Sequence, residues 1–238
     1  MRDLPATPSL DRSTTQQLPK VELVVVCEGK NTEPEYLREC VSYYGAGTVR
    51  LRPISAAGVP LTLMRAAIAE KQTLLEKYQQ SKDSFEGCFK VWAVFDRDIH
   101  PNIPQALELA RIFGIEVAFS NPCFELWPLL HLEDFGAQLG RHALQSRLRS
   151  KMPGYDHRDG ALIDFELIKN QFSDAYLRAR RHNIAREQEG CPLDNPSTTV
   201  SVLIRKIIEN GKRANREMLK FLVTLPSNPS PSPKSKKV

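Results

Sequence analysis

Residues 21–27, Val-Glu-Leu-Val-Val-Val-Cys, form a strand-length run in which only Glu22 is polar. A strand covered on one face alternates apolar and polar side chains. A run that is apolar at both parities belongs to a strand covered on both faces, as in a parallel sheet between layers of helices. Similar runs recur at about 48–54, 88–95 and 115–119, separated by helical patterns at about 32–43, 61–80 and 104–113. Strands and helices in strict alternation predict a mostly parallel α/β sheet with right-handed crossovers and helices on both faces. Thr32, Pro34 and Glu35 after the turn at Gly29 predict a helix N-capped by Thr32, with Glu35 as the capping-box acid. Beyond Asn121 the pattern is helical, at about 124–131, 137–149, 164–182, 198–210 and 215–223, so a helical second half is expected to flank the sheet.

Composition bounds the rest. With 41% apolar and 26% charged residues the chain has the make-up of a globular domain. No stretch approaches the roughly 18–20 uninterrupted apolar residues of a membrane span, and residues 1–20 lack the apolar core of a signal peptide, so a cytoplasmic protein with no membrane partner is expected. Residues 1–20, with Pro5, Pro8 and Pro19, and residues 226–238, P-S-N-P-S-P-S-P-K-S-K-K-V, are expected to be flexible ends of a domain spanning 21–225. The five cysteines are widely spaced and include no C-x-x-C pair, which predicts reduced, structural thiols. Of the net charge of +5, the tail supplies three and residues 1–20 one, leaving about +1 for residues 21–225. Attraction to phosphate must then come from local clusters of cations.

In an open parallel sheet, ligands bind at the carboxyl ends of the strands. The first strand leaves as Cys27-Glu28-Gly29 and the third as Phe95-Asp96-Arg97-Asp98. If these strands are neighbours, Glu28, Asp96 and Asp98 gather at one edge. Three carboxylates repel one another unless protonated or neutralised, and a hard, oxygen-seeking cation such as Mg²⁺ or Mn²⁺ neutralises them. Lys30, in the loop after Glu28, can approach a phosphate or balance the acids. Neither G-x-x-x-x-G-K-[ST] nor G-x-G-x-x-G occurs, which argues against ATP hydrolysis by this chain and against dinucleotide chemistry.

C-E-G-K-N-T-E-P (27–34), V-F-D-R-D (94–98), S-N-P-C-F-E-L-W-P-L-L-H (120–131), K-M-P-G-Y (151–155) and N-P-S-T-T-V (195–200) resemble, in this order, segments of RloB-like proteins. The resemblance covers roughly residues 21–211. It implies a Toprim-like part at about 21–122, a helical part at about 123–225, and a place in bacterial restriction and phage defence. In the Toprim fold an acid after the first strand and a D-x-D after the third hold divalent metal for phosphoryl transfer; by position these are Glu28, Asp96 and Asp98. Two readings stand for Glu33: a further ligand, as in overcoming-lysogeny-type nucleases, or an acid favoured by the dipole of a first helical turn. Glu125 divides in the same way, between completing a metal shell and opening a helix.

Basic residues cluster in the helical half. They include Arg141, Arg147 and Lys151, then Arg178, Arg181 and Arg186, then Arg205 and Lys206. Such clusters either track a phosphate backbone or are solvated helix faces. Lys151, Tyr155, Asn195, Ser197 and Thr198 fall in segments that match the family, and N-P-S-T-T places small donors at a helix start, where anions bind and where Ser197 can equally serve as an N-cap. Together with Arg178 and Arg181 they are the expected nucleic-acid contacts. The reading is a Mg²⁺- or Mn²⁺-dependent nuclease of DNA or RNA, with Glu28 as base, acting in abortive-infection defence and able to form homo-oligomers. The rival is a non-catalytic nucleic-acid-binding or sensor subunit that works with a separate ATPase.

Overall fold

The computed structural model describes residues 21–45, 48–56, 58–81, 87–97, 102–157 and 160–211. The expected flexible ends, the helix at 215–223, and Asp98 lie outside the described residues. Strands β1 (Val21–Cys27), β2 (Val49–Ser55), β3 (Phe89–Asp96) and β4 (Glu116–Asn121) are parallel, and a two-residue β5 (Ser197–Thr198) joins antiparallel to β4. The sheet order is β2-β1-β3-β4-β5.

The central strands are apolar at both parities because both of their faces are covered. Leu23 to Cys27 in β1 are at most 1% exposed, and Val91 to Phe95 in β3 at most 2%. The edge strand β2 carries Arg50, Arg52 and Pro53, the last lacking the N–H that a ladder on both sides would require. On one face, α2 (Pro60–Ser81) and α3 (Ile103–Phe113) pack Leu63, Met64, Ala67 and Ala106 against Val24, Val26 and Phe95. On the other lie α1 (Thr32–Cys40), continued by a π-helical turn (Val41–Gly45), and all the later helices: α4 (Leu126–Leu132), α5 (Arg141–Lys151), α6 (Phe165–Ile168), α7 (Phe172–Gln188) and α8 (Val200–Asn210). Nearly all of α4 is buried, and the Trp127 indole N–H donates to the Tyr36 hydroxyl at 2.7 Å, joining α4 to α1.

Four local expectations are corrected. Asn31, not Thr32, precedes α1: its carbonyl accepts from the Glu35 N–H at 3.0 Å, no side chain caps the helix, and Glu35 pairs with Arg38. Thr32 instead lines the cavity described below. The helix expected from 137 starts at Arg141, where the Gly140 carbonyl receives the Leu144 N–H. The helix expected over 164–182 is two. Its break puts Phe165, Ile168 and Phe172 all in the core while the Tyr44 hydroxyl donates to the Lys169 carbonyl. The segment read as a helix start at 198 is β5, and α8 begins at Val200. Among the described residues no helix is long and apolar enough to cross a membrane.

Candidate functional site

Cys27 in β1 pairs with Val94 in β3, and the Glu28 N–H continues that ladder by donating to the Val94 carbonyl at 3.0 Å. The two strands therefore end side by side. Oε2 of Glu28 accepts from the Asp96 backbone N–H at 3.3 Å. Helix α1 adds Glu33 and the turn before α4 adds Glu125. All four acids line one cavity of about 270 Å³, together with Thr32, Arg141, Gln145 and His157.

Their environments differ. Glu33 is 6% exposed, and burial raises its pKa to about 7; the charges of Glu125 and Glu28 add to the rise while the backbone N–H groups of Glu33 and Gly29 oppose it. Burial also drives Asp96 well above the ordinary aspartate range, helped by the charges of Glu33, Glu125 and Glu28 and resisted by Arg141, whose guanidinium lies 3.3 Å from Oδ2. At Glu125 burial pushes upward too, but donors outweigh it. The Tyr155 hydroxyl at 2.5 Å, the Cys123 thiol and the Gln145 amide at 3.0 Å hold the carboxyl below its usual value. The cavity thus keeps Glu125 ionised and discourages its neighbours from ionising with it, as a cluster of acids must when nothing neutralises it. His157 Nδ1 stands 3.4 Å from Glu125 Oε1 and 3.1 Å from the Gln145 amide nitrogen.

The donor set is all oxygen and suits Mg²⁺ or Mn²⁺, which need only one or two carboxylates directly when water and phosphate supply the rest. Glu28 and Asp96 form such a pair. Among the described residues no group of three His, Cys, Asp or Glu converges closely enough to hold an ion, so the fit is to an open site and not to a closed cage.

The remaining expected residues are dispersed. Lys30 is exposed and does not line the cavity. Lys151 is exposed, 3.5 Å from Glu133, and Arg181 pairs with Asp134 at 3.1 Å. Arg178 donates to the carbonyls of Leu130 and His131, which ties α7 to α4. Tyr155 is 1% exposed, and Ser197 and Thr198 are fully buried, so these three offer no surface to a nucleic acid. Tyr155 holds Glu125, and Thr198 pairs its hydroxyl with Ser120 at 2.8 Å. Asn195 donates to the Leu139 carbonyl at 2.7 Å.

Gln145 and His157 belong to the site without having been singled out from sequence. The signal for Gln145 is its spacing: it lies four residues after Arg141 on α5, so both fall on one helix face. His157 carries no such pattern.

The RloB-like protein family model matches residues 23–207. No curated protein and no solved structure matches the chain. The match spans both the sheet with its carboxylates and the helices that close the cavity over them, and the chain belongs to the RloB-like protein family.

Proposed function

We propose that this chain is a divalent-metal-dependent nuclease that hydrolyses phosphodiester bonds of DNA or RNA in bacterial antiviral defence, on a Toprim-like arrangement of acids. The observation that carries the reading is the gathering of Glu28, Glu33, Asp96 and Glu125 around one cavity at the carboxyl edge of a parallel sheet. That density of carboxyl groups destabilises an empty cavity and favours one that holds a cation and a phosphate.

Glu28 and Asp96 would hold Mg²⁺ or Mn²⁺, with Asp98 of the same D-x-D sequence as the further expected ligand, and the ion would supply charge neutralisation at the attacking and leaving oxygens. Glu28, fixed against the Asp96 N–H, accepts the proton of the attacking water. Arg141 offers its guanidinium to a non-bridging phosphate oxygen from the rim of the cavity. Tyr155 and Gln145 keep the Glu125 carboxylate in place, and His157 covers the cavity's outer side.

The test is cleavage of end-labelled DNA and RNA with Mg²⁺, Mn²⁺ or EDTA. Metal-dependent products that vanish in Asp96→Asn, with an unchanged circular dichroism spectrum, support the reading. Nucleic acid bound but never cut under any of these conditions defeats it in favour of the non-catalytic binding subunit, which the absence of a closed ligand cage among the described residues would then explain.

A further inference from the structure

Two cavities meet at Arg141. On one side its guanidinium reaches Asp96 and borders the carboxylate cavity; on the other it lines a larger cleft of about 710 Å³. The cleft takes Arg97 from the end of β3, Asn121 and Pro122 from the end of β4, His142 from the first turn of α5, and Asn195 from the segment before β5. Asp194 is the one acid on its described wall.

The sheet explains why the two cavities differ in charge. Asp96 has the parity of Trp92 and Val94, whose side chains lie in the core beneath α1 and α4; Arg97 has the parity of Phe95, on the opposite face. The Arg97 N–H still donates to the Ser120 carbonyl at 2.8 Å, so the alternation runs one residue past the strand. Consecutive residues thus send an acid to one cavity and a cation to the next.

We propose that this cleft seats the nucleotide next to the scissile phosphate of a single-stranded nucleic acid. Arg97 and Arg141 hold its phosphate, and the wall of Asn121, Pro122, His142 and Asn195 faces its sugar and base. The placement rests on the nuclease reading for what happens at the carboxylates, whereas binding in the cleft requires no cleavage. Guanidinium groups match phosphate oxygens in pairs. A cleft of this volume falls in the range of roughly 300–1,000 Å³ typical of small-ligand sites, which suits one unpaired nucleotide. An amide wall reaches base edges only when they are splayed out of a duplex. The Asn121 and Asn195 side-chain amides each donate one N–H, to the Leu193 and Leu139 carbonyls at 2.8 and 2.7 Å, which fixes both side chains. Asn195 Oδ1 is buried and has no hydrogen-bond partner among the described residues, so this side chain shapes the wall and does not present its oxygen to the cleft.

The test is fluorescence anisotropy of a short fluorescein-labelled single strand, as DNA and as RNA, in EDTA. Arg97→Ala should weaken binding by about tenfold or more and lower the slope of log affinity against log salt by about one. His142→Ala, also at an exposed position, should weaken it as well, while Arg111→Ala, an exposed cation paired with Glu108 on α3, should bind like the wild type. A blunt hairpin of the same sequence should bind less tightly than the strand. The proposal is overturned if the wild type binds no single strand, if Arg97→Ala and His142→Ala both bind as the wild type does, or if the hairpin binds equally well. A strand gripped through Arg97 yet left intact with Mg²⁺ or Mn²⁺ keeps the cleft and sinks the nuclease reading; cutting that survives Arg97→Ala unchanged does the reverse.

Discussion

A Cβ atom on Gly29 would stand 2.0 Å from Oε2 of Glu33. The carboxyl group from the first turn of α1 occupies the space where any other residue at position 29 carries its side chain, and the Gly29 backbone N–H is one of the groups that favours its charged form. The glycine that follows Glu28 is therefore part of the site: it lets a second acid fold back onto the loop that carries the first.

Gly29→Ala should push Glu33 out of this position. The atom displaced is the end of a flexible side chain, so the cost to stability is modest, about 1–2 kcal/mol. Combining it with Glu33→Ala should cost less than the two single changes added together. Urea unfolding of the wild type, both single variants and the double variant measures this coupling; strict additivity would mean that the two residues do not compete for the space.

Glu33 and His131 give opposite pH dependences. Burial raises Glu33 from 4.5 to about 7, so its contribution to stability is full below its unfolded value and is lost as pH rises through about 7. Burial lowers His131 from 6.5 to about 4, so its contribution is full above 6.5 and is lost as pH falls towards 4. At about 1.4 kcal/mol per pH unit each reaches at most about 3.5 kcal/mol, and between roughly pH 4.5 and 6.5 the slopes oppose one another. Glu33→Gln should therefore show a steeper rise in stability over that interval than the wild type, and should gain on it further up to pH 8. His131→Gln should instead lose stability from pH 4.5 upward. Melting temperatures across this range check both; parallel curves for all three proteins would refute the assignment.

Tyr155→Phe removes a hydroxyl that donates to an ionised, buried carboxylate. Such a bond is worth about 1.5–3 kcal/mol, and Gln145 remains to hold Glu125, so a loss near the lower figure is expected. Carboxyl titration followed by NMR should show the Glu125 pKa rising in the variant. Cleavage, if the nuclease reading holds, should fall without a change in the metal requirement.

The sheet and its acids were legible because their determinants are local. Val21–Cys27 is apolar at both parities, so its burial on two faces follows from the run itself, and the acids that end adjacent parallel strands must meet. The burial of Trp127 and Leu130 follows in the same way from a segment, Leu126–Leu132, that is apolar around its whole circumference. What was not legible depends on distant partners. β5 is only Ser197–Thr198 and exists because β4 offers it an edge, and Tyr155 looks like a surface residue until the cavity closes around Glu125. The arginines of α5 and α7 were ambiguous for the same reason. Arg147 pairs with Glu133 and Arg181 with Asp134, contacts that no spacing within one helix announces.

β5 also imposes an order on how the molecule comes into being. Ser120 pairs with Thr198 and Asn121 with Ser197, so the wall that carries Asn195 is aligned on a strand made far earlier in the chain. Domains begin to fold as they leave the ribosome, amino end first. A nascent chain that has emerged as far as α7 already has β1 to β4 and the acids at their ends, but it has only one side of the cleft. The acids are in place before the far wall of the cleft, which waits for Asn195 and β5 to reach the edge of β4.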